Sequence, residues 1–186
     1  MIRMPDLTTL EHTLFTTLCA CFSLSPDSPE AAYRFRPAYP SDETLPQPPR
    51  NKDVCYYALF PESAPDPQPL TVSRDDPLKD IWHRVIPISL HFYFYGPHAD
   101  ADALQTRTML FTDSIRALLH TAGIIPIPSP PVPISLPEIE GTLWRHRADL
   151  ALSLRILQQI ETPATSITVP PELFITNNDQ GSDSSC

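Results

Sequence analysis

The sequence predicts a single α+β domain in which an antiparallel sheet of about four strands packs against two main helices, with long proline-rich loops between them. Two segments alternate apolar and polar residues with the two-residue period of a strand. Two others repeat apolar residues at the three- and four-residue steps of an amphipathic helix. The chain also contains 24 prolines and 4 glycines. Proline interrupts helices and central strands, so the connections are expected to be long and extended.

The length of 186 residues fits one domain. A chain of this size buries roughly 70% of the surface that its unfolded form exposes, which is enough for one core. No internal repeat or shift in composition divides the sequence. We therefore expect one domain over residues 1–176 and a disordered polar tail over residues 177–186.

The first predicted element is an amphipathic helix that begins after Asp6, because aspartate is a good N-terminal cap. Its apolar stripe comprises Leu7, Leu10, Leu14, Leu18 and Phe22. The acidic residues Asp6 and Glu11 indicate a helix and not a signal peptide. Pro26 and Pro29 end this helix, and residues 23–51 show no period, which predicts a long loop.

Two strands and a second loop are predicted next. Residues 54–60 are rich in β-forming side chains and end at Pro61, and residues 61–77 form the loop. The strongest strand follows, and its core face comprises Ile86, Ile88, Leu90, Phe92 and Phe94. Its other face carries Ser89, His91, Tyr93 and Tyr95. Aromatic side chains with polar tips are typical of a surface that a second layer or another subunit covers.

A second helix is expected between Gly96-Pro97, which break the strand, and Gly123, which caps the helix. Its predicted buried stripe is Leu104, Phe111, Ile115, Leu118 and Ala122. Residues 124–137 alternate isoleucine or valine with proline, which favours an extended arm laid over the subunit; a ligand for a proline-reading groove is the alternative. Residues 148–160 form a second long strand, and residues 167–169 a short partner for it.

The net charge of −9 argues against a sequence-independent grip on DNA or on an anionic membrane, because both require clusters of lysine and arginine. An acidic wall repels a duplex, so the same charge suits a surface past which nucleic acid slides. No segment approaches the roughly 20 apolar residues of a membrane span.

The residue types that carry catalysis or bind metals do not form a recognisable site in the sequence. The six histidines lack metal-ligand spacing, and the C-x-C pair formed by Cys19 and Cys21 has no second pair for zinc. The glycines are too far apart for a phosphate loop, and G-x-S-x-G is missing. We expect no catalytic residue, metal or cofactor. A nucleophilic Cys55 that meets a distant histidine is the enzymatic alternative.

The remaining cluster lies just before the second long strand and combines Trp144, Arg145, Arg147 and Asp149. Arg147 and Asp149 are two residues apart, so on a strand they share a face and can pair with each other or across an interface. Tryptophan and arginine are enriched at interface hot spots. The candidate subunit interface therefore comprises Tyr93, Tyr95, Trp144, Arg145, Arg147 and Asp149. The competing interpretation is a solvated start of the strand with Trp144 packed on the core.

Two segments resemble the tail terminator, or neck, family of tailed phages. One is the aromatic strand that leads into a turn and helix, His91–Asp100, and the other is Leu143–Leu150, which leads into an alternating strand. Their order and the helix between them also match, so the resemblance covers residues 6–22 in outline and residues 81–175 in more detail.

The resemblance implies a non-enzymatic virion protein whose subunits close into a ring, typically a hexamer, at the head-tail junction after synthesis in the host cytoplasm. Such a ring caps the tail tube and meets the head connector, and genomic DNA passes through its lumen without specific binding. No membrane partner is implied. The alternatives are another phage morphogenesis component, such as a head-completion or tail tube protein, and, from other classes, a hydrolase or a small binding adaptor.

Overall fold

The computed structural model describes residues 2–3, 7–38, 48–62, 71–76, 79–128 and 131–163. Four helices and ten strands lie in these ranges. The helices are α1 (Leu7–Cys21), α2 (Pro29–Arg34), α3 (Ala99–Met109) and α4 (Asp113–Thr121). The strands are β1 (Ile2–Arg3), β2 (Phe35–Pro37), β3 (Val54–Pro61), β4 (Thr71–Asp76), β5 (Lys79–Tyr95), β6 (Ile124–Pro126), β7 (Ile134–Ser135), β8 (Glu138–Glu140), β9 (Leu143–Arg145) and β10 (Arg147–Pro163).

Two strands of 17 residues, β5 and β10, form the centre of the sheet and pair antiparallel along their whole length. β3 pairs with the other edge of β5, and β4 continues that edge beyond the end of β3. β2 joins β3 in parallel, so the sheet is mixed. The outer edge of β10 is lined by β7, β6 and β1 in turn.

The main sheet contains eight strands within the described ranges, so the prediction of about four strands was too low. The additional strands are short, and two of them, β6 and β7, come from the proline-alternating arm. Their residues donate to or accept from β10, so the arm lies along the subunit as an edge. Proline is tolerated at an edge because the outward-facing backbone positions of an edge strand have no strand to donate to, so the missing N–H of proline leaves no hydrogen bond unmade.

The core lies between one face of the sheet and helices α1, α3 and α4, as the alternation in the sequence predicts. Leu90, Phe92 and Phe94 of β5 are buried on this face. In α1, Leu10, Leu14 and Leu18 of the predicted apolar stripe are buried. Strand β10 contributes four buried residues, Leu150, Leu152, Leu154 and Ile156. Leu7 and the predicted cap Asp6 lie outside the described side chains, as do residues 164–186 with the predicted short strand and tail.

Three predicted elements differ in the structure, and one of them is the loop predicted over residues 61–77, which contains β4 because residues 71–76 pair with β5. The single helix expected between Gly96 and Gly123 is divided into α3 and α4. The division lies at Thr112, whose backbone has an extended conformation (φ −72°, ψ 150°). The hydroxyl of Thr112 donates to the carbonyl of Met109 at 2.7 Å and stabilises the break. Leu104, expected in the core, is 52% exposed, since α3 buries Ala99, Ala103 and Thr106 against the sheet instead.

The predicted loop over residues 23–51 contains α2 and β2. Ser28 caps α2 by accepting from the amide of Ala31 at 3.1 Å, and Pro29 occupies the first helical turn, where its missing N–H has no cost. Phe35 then enters the core. A six-residue helix is too short to show a period, which is why the pattern did not reveal it.

Candidate functional site

The sheet face opposite the helices carries a cluster of tyrosines and charged side chains. The strand register aligns Tyr56 of β3 with Tyr93 of β5 and Asp149 of β10. The neighbouring row aligns Tyr95 with Arg147. Directly opposed residues on antiparallel strands point to the same side, so the register alone brings these groups together.

Arg147 is the centre of this cluster. Its Nε and Nη2 donate to the two carboxylate oxygens of Asp149 at 2.6 and 2.7 Å, and its Nη1 donates to Glu138 at 3.3 Å. The guanidinium lies 4.9 Å from the ring centroid of Tyr93. The hydrogen bonds to Asp149 raise the pKa of Arg147 above its ordinary value, so the guanidinium stays charged. The fork-like pair with Asp149 is therefore a fixed, charged platform on the tyrosine face.

Tyr95 is enclosed by the same group of residues. The guanidinium of Arg145 lies 4.6 Å from its ring centroid, and its hydroxyl donates to Glu138 at 2.9 Å. Burial, followed by the hydrogen bond to Glu138, raises the pKa of Tyr95 to about 12. Arg145 itself is only 7% exposed. Five of the six residues predicted for the interface thus contact one another within the subunit: Tyr93, Tyr95, Arg145, Arg147 and Asp149.

The sixth residue, Trp144, lies on a hairpin formed by β8 and β9, which we call the Trp144 hairpin (residues 138–145). Gly141, with φ +66°, takes the first position of its two-residue turn, where glycine is favoured. Side chains alternate across the hairpin. Glu138 and Arg145, which oppose each other, face the tyrosines, whereas the opposed pair Ile139 and Trp144 faces away.

The stretch 132–144, which includes this hairpin, exposes an unusual number of apolar side chains. Trp144 is 67% exposed and Ile139 is 61% exposed, so the interpretation that Trp144 packs on the core is wrong. Eight large hydrophobic side chains are exposed among the described residues, and six belong to the stretch 132–144. These six are Val132, Ile134, Leu136, Ile139, Leu143 and Trp144. Sequence reasoning missed all of them except Trp144.

A hairpin signal was nevertheless present in the sequence. Glu138-Ile139-Glu140 and Leu143-Trp144-Arg145 flank the pair Gly141-Thr142, and a glycine in a two-residue connection between β-forming segments is typical of a hairpin. The two strands place apolar residues opposite each other at Ile139 and Trp144. Recognising this pairing would have identified the exposed apolar face.

A second group of charged residues holds the start of α3 against its neighbours. His98 Nδ1 lies 2.9 Å from Asp53, and His146 Nε2 lies 2.6 Å from Asp100. Arg34 of α2 donates to Asp102 at 2.7 Å. Burial raises the pKa of Asp102 by more than the pair with Arg34 lowers it. These three pairs connect α2, the beginning of β3 and the beginning of β10 through one helix terminus.

A polar pocket of about 410 Å³ opens beside this group, on the helix side of the sheet. It is lined by Glu30, Tyr33, Arg34, Lys52 and Asp53. The guanidinium of Arg34 is fixed there, because it stacks 4.4 Å from the ring centroid of Phe22 and pairs with Asp102.

The groups proposed for the enzymatic alternative are poorly suited to it. Cys55 is buried in the core, and burial raises the pKa of its thiol well above the ordinary value, whereas a nucleophilic cysteine needs a lowered pKa. The described residues contain no group of histidine, cysteine and acidic side chains arranged for a metal ion. The helices in those ranges are also too short or too polar to span a membrane.

Comparison with known proteins agrees with the resemblance seen in the sequence. A family model described as phage neck terminator protein matches residues 12–178, which is most of the chain. No curated protein matches the chain significantly. Both long strands and every described helix lie wholly or largely within the matched range. The chain therefore belongs to the phage neck terminator family and is a structural protein of the phage neck.

Proposed function

We propose that this subunit closes into a ring, a hexamer, at the head-tail junction, where the ring caps the tail tube and meets the head connector. The observation that carries the proposal is the two-sided Trp144 hairpin. Its inner side is fixed to Tyr95 and Arg147 through Glu138 and Arg145, and its outer side presents Ile139 and Trp144 to solvent.

The area of the exposed segment supports an assembly role. Taken together, the six exposed hydrophobic residues of the stretch 132–144 present on the order of 600 Å² of surface, which compares with about 300–600 Å² for the largest apolar patch on a typical monomer. A stable protein interface buries about 800 Å² on each partner. The part of this area that lies on the outer face of the hairpin, with Ile139 and Trp144, is open to one partner.

The tyrosine-arginine cluster supports the proposal by fixing the hairpin before assembly. Arg147 is held by Asp149 and Glu138, and Arg145 covers Tyr95. A rigid surface loses less conformational entropy on binding than a mobile one. The predicted interface residues Tyr93, Tyr95, Arg145, Arg147 and Asp149 thus act mainly as the support, while Trp144 provides the contact.

Ring closure by rotation requires two different patches on each subunit.

The net charge of −9 suits a lumen through which DNA passes without being held, because the duplex is repelled from an acidic wall. Tight binding of duplex DNA at physiological salt would contradict this part of the proposal.

Growth of tail tubes provides the test. Tubes assembled from the tube protein of the same phage are mixed with the fluorescently labelled chain, and their length is followed by electron microscopy. We expect label at one end of each tube and arrest of elongation there. Label along the tube, or unlimited polymers of the chain alone, would identify a tube component and overturn the proposal.

A further inference from the structure

The two distinctive surfaces of the subunit lie near the same end of the main sheet but on different faces of it. The Trp144 hairpin covers the tyrosine face and leads into β10. The polar pocket lies on the helix side, beside β2 and β3, because Lys52 and Asp53 precede β3 and Arg34 precedes β2. Lys52 and Asp53 lead into Val54, which pairs with Tyr95, so the sheet itself lies between the two surfaces. Ile139 and Trp144 on the outer face of the hairpin are exposed and are open to a neighbouring subunit.

The pocket has the chemistry that receives a tryptophan side chain. Its volume of about 410 Å³ lies within the roughly 300–1,000 Å³ of ordinary small-ligand sites. Lys52 is exposed and supplies a cation, which is attracted to the face of an aromatic ring, and indole is the strongest such partner. Glu30 supplies an acceptor for the indole N–H. Arg34 is already held in place by Phe22 and Asp102.

We infer that Trp144 of one subunit inserts into the pocket formed by Tyr33, Arg34 and Lys52 of the next copy of this chain. The contact is heterologous, because the hairpin of one subunit meets a different surface, the pocket, of the next, and repetition of such a contact around an axis closes a ring. The inference rests on the proposed function and names the two surfaces that join. Ile139, the cross-strand neighbour of Trp144, covers the rim of the contact.

Fluorescence measures the insertion directly. The chain has two tryptophans, so Trp82→Phe leaves Trp144 as the sole reporter. Trp144 is 67% exposed in the single subunit. We therefore expect two changes when subunits assemble, either in solution or on tail tubes: its emission shifts to the blue, and its quenching by iodide falls at least several-fold. Assembled particles in which Trp144 stays open to iodide would overturn the inference, although ring closure itself would still stand.

Mixing of two defective variants tests the pairing of the surfaces. Trp144→Ala removes the hairpin contact, and Lys52→Glu makes the pocket acidic. Each variant alone is expected to lose self-association at least tenfold, while Leu104→Ala, an exposed leucine on α3, leaves it unchanged. Mixed together, the two variants have one intact hairpin and one intact pocket, so they should form a one-to-one dimer that grows no further.

The outcomes separate this inference from the proposed function. Rings formed by Trp144→Ala, or a mixture that stays monomeric, would show that the hairpin and pocket do not join. Arrest of tube growth by either variant at the wild-type level would also overturn the inference, whereas the capping role would be retained. Circular dichroism and thermal unfolding confirm that each variant is folded, which is expected because Trp144 and Lys52 are exposed.

Discussion

At the scale of single residues, two members of the predicted interface occupy different environments. Arg147 is partly buried and pairs with two carboxylates, whereas Trp144 is 67% exposed. A search for interface residues by composition groups them together because both types are enriched at hot spots. The distinction follows from which face of a strand each one occupies.

The Arg147 cluster is therefore expected to affect stability before it affects assembly. Arg147→Ala leaves Asp149 and Glu138 without their cation and uncovers Tyr93, which should lower the free energy of unfolding by about 2 kcal/mol. Urea unfolding of the purified chain measures this. Arg155→Ala, an exposed arginine on the same face of β10, is the matched control and should change stability by less than about 0.5 kcal/mol. Equal losses in both variants would contradict the central role of Arg147.

Gly96 and Gly141 both have a positive φ but differ in the space that is available for a Cβ atom. Gly96 (φ +118°) has no room for a Cβ, which would lie 2.8 Å from the backbone of Lys52 and Asp53, whereas nothing lies within 4 Å at Gly141 (φ +66°). Gly141→Ala should cost about 1–2 kcal/mol from backbone strain alone. Gly96→Ala should cost more than about 3 kcal/mol, because the start of β3 must also move. Similar thermal unfolding of the two variants would contradict this reading of the packing.

At the scale of elements, helix α3 begins where three ion pairs meet, so its terminus couples the sheet edge to α2. His98 also donates its amide to Asp53 at 2.9 Å, which fixes the first turn to the beginning of β3. Helix α2 and the Trp144 hairpin both adjoin this end of the sheet, where β3 and β10 begin. Small changes of charge here are expected to alter how the pocket and the hairpin are presented.

Titration of His98 gives this terminus a dependence on pH. The hydrogen bond to Asp53, followed by its charge, raises the pKa of His98 above the ordinary value of 6.5. A raised folded-state pKa stabilises the fold fully below about pH 6.5, and the contribution is lost as the pH rises through the raised value. The stability difference between the wild type and His98→Gln should therefore shrink from about pH 5.5 to about pH 8.5. A difference that is constant or grows with pH would show that the pair does not form.

The elements also show how far the sequence could predict this molecule. Strands β5 and β10 were recoverable because alternation reports which face is buried, and β3 because its residues are β-forming. The alternation in β5 begins at Ile86, whereas the strand itself begins at Lys79. The break at Thr112 was not, since local hydrogen bonding by a threonine side chain leaves the apolar period intact. The short strands β6 and β7 depend on pairing with β10, which no local pattern encodes.

The candidate site was predictable in part for the same reason. The register of β5 and β10 brings Tyr93, Tyr95, Arg147 and Asp149 together, and alternation alone predicts their shared face. The sequence did not reveal that the Trp144 hairpin folds back and buries Arg145 over Tyr95, because that contact joins two separate elements and no local pattern encodes it. Consequently, the exposed partners of Trp144 were found only in the structure.

At the scale of the whole molecule, the subunit carries two unlike surfaces on different faces of one sheet. Among the described residues, exposed large apolar side chains are concentrated in the stretch 132–144, and the pocket is lined by charged residues and Tyr33. Such a division is what a subunit needs in order to join copies of itself in one direction only. An isologous dimer would instead join one surface to itself and would leave the pocket empty.

The mass of the purified chain, alone and with tail tubes, measured over a wide range of concentration and combined with electron microscopy of any large species, tests ring closure most directly. We predict one closed ring with a fixed number of subunits, which does not grow as the concentration rises. A polymer that lengthens without limit, a two-fold dimer as the end state, or a chain that stays monomeric and leaves the tubes uncapped would contradict the account.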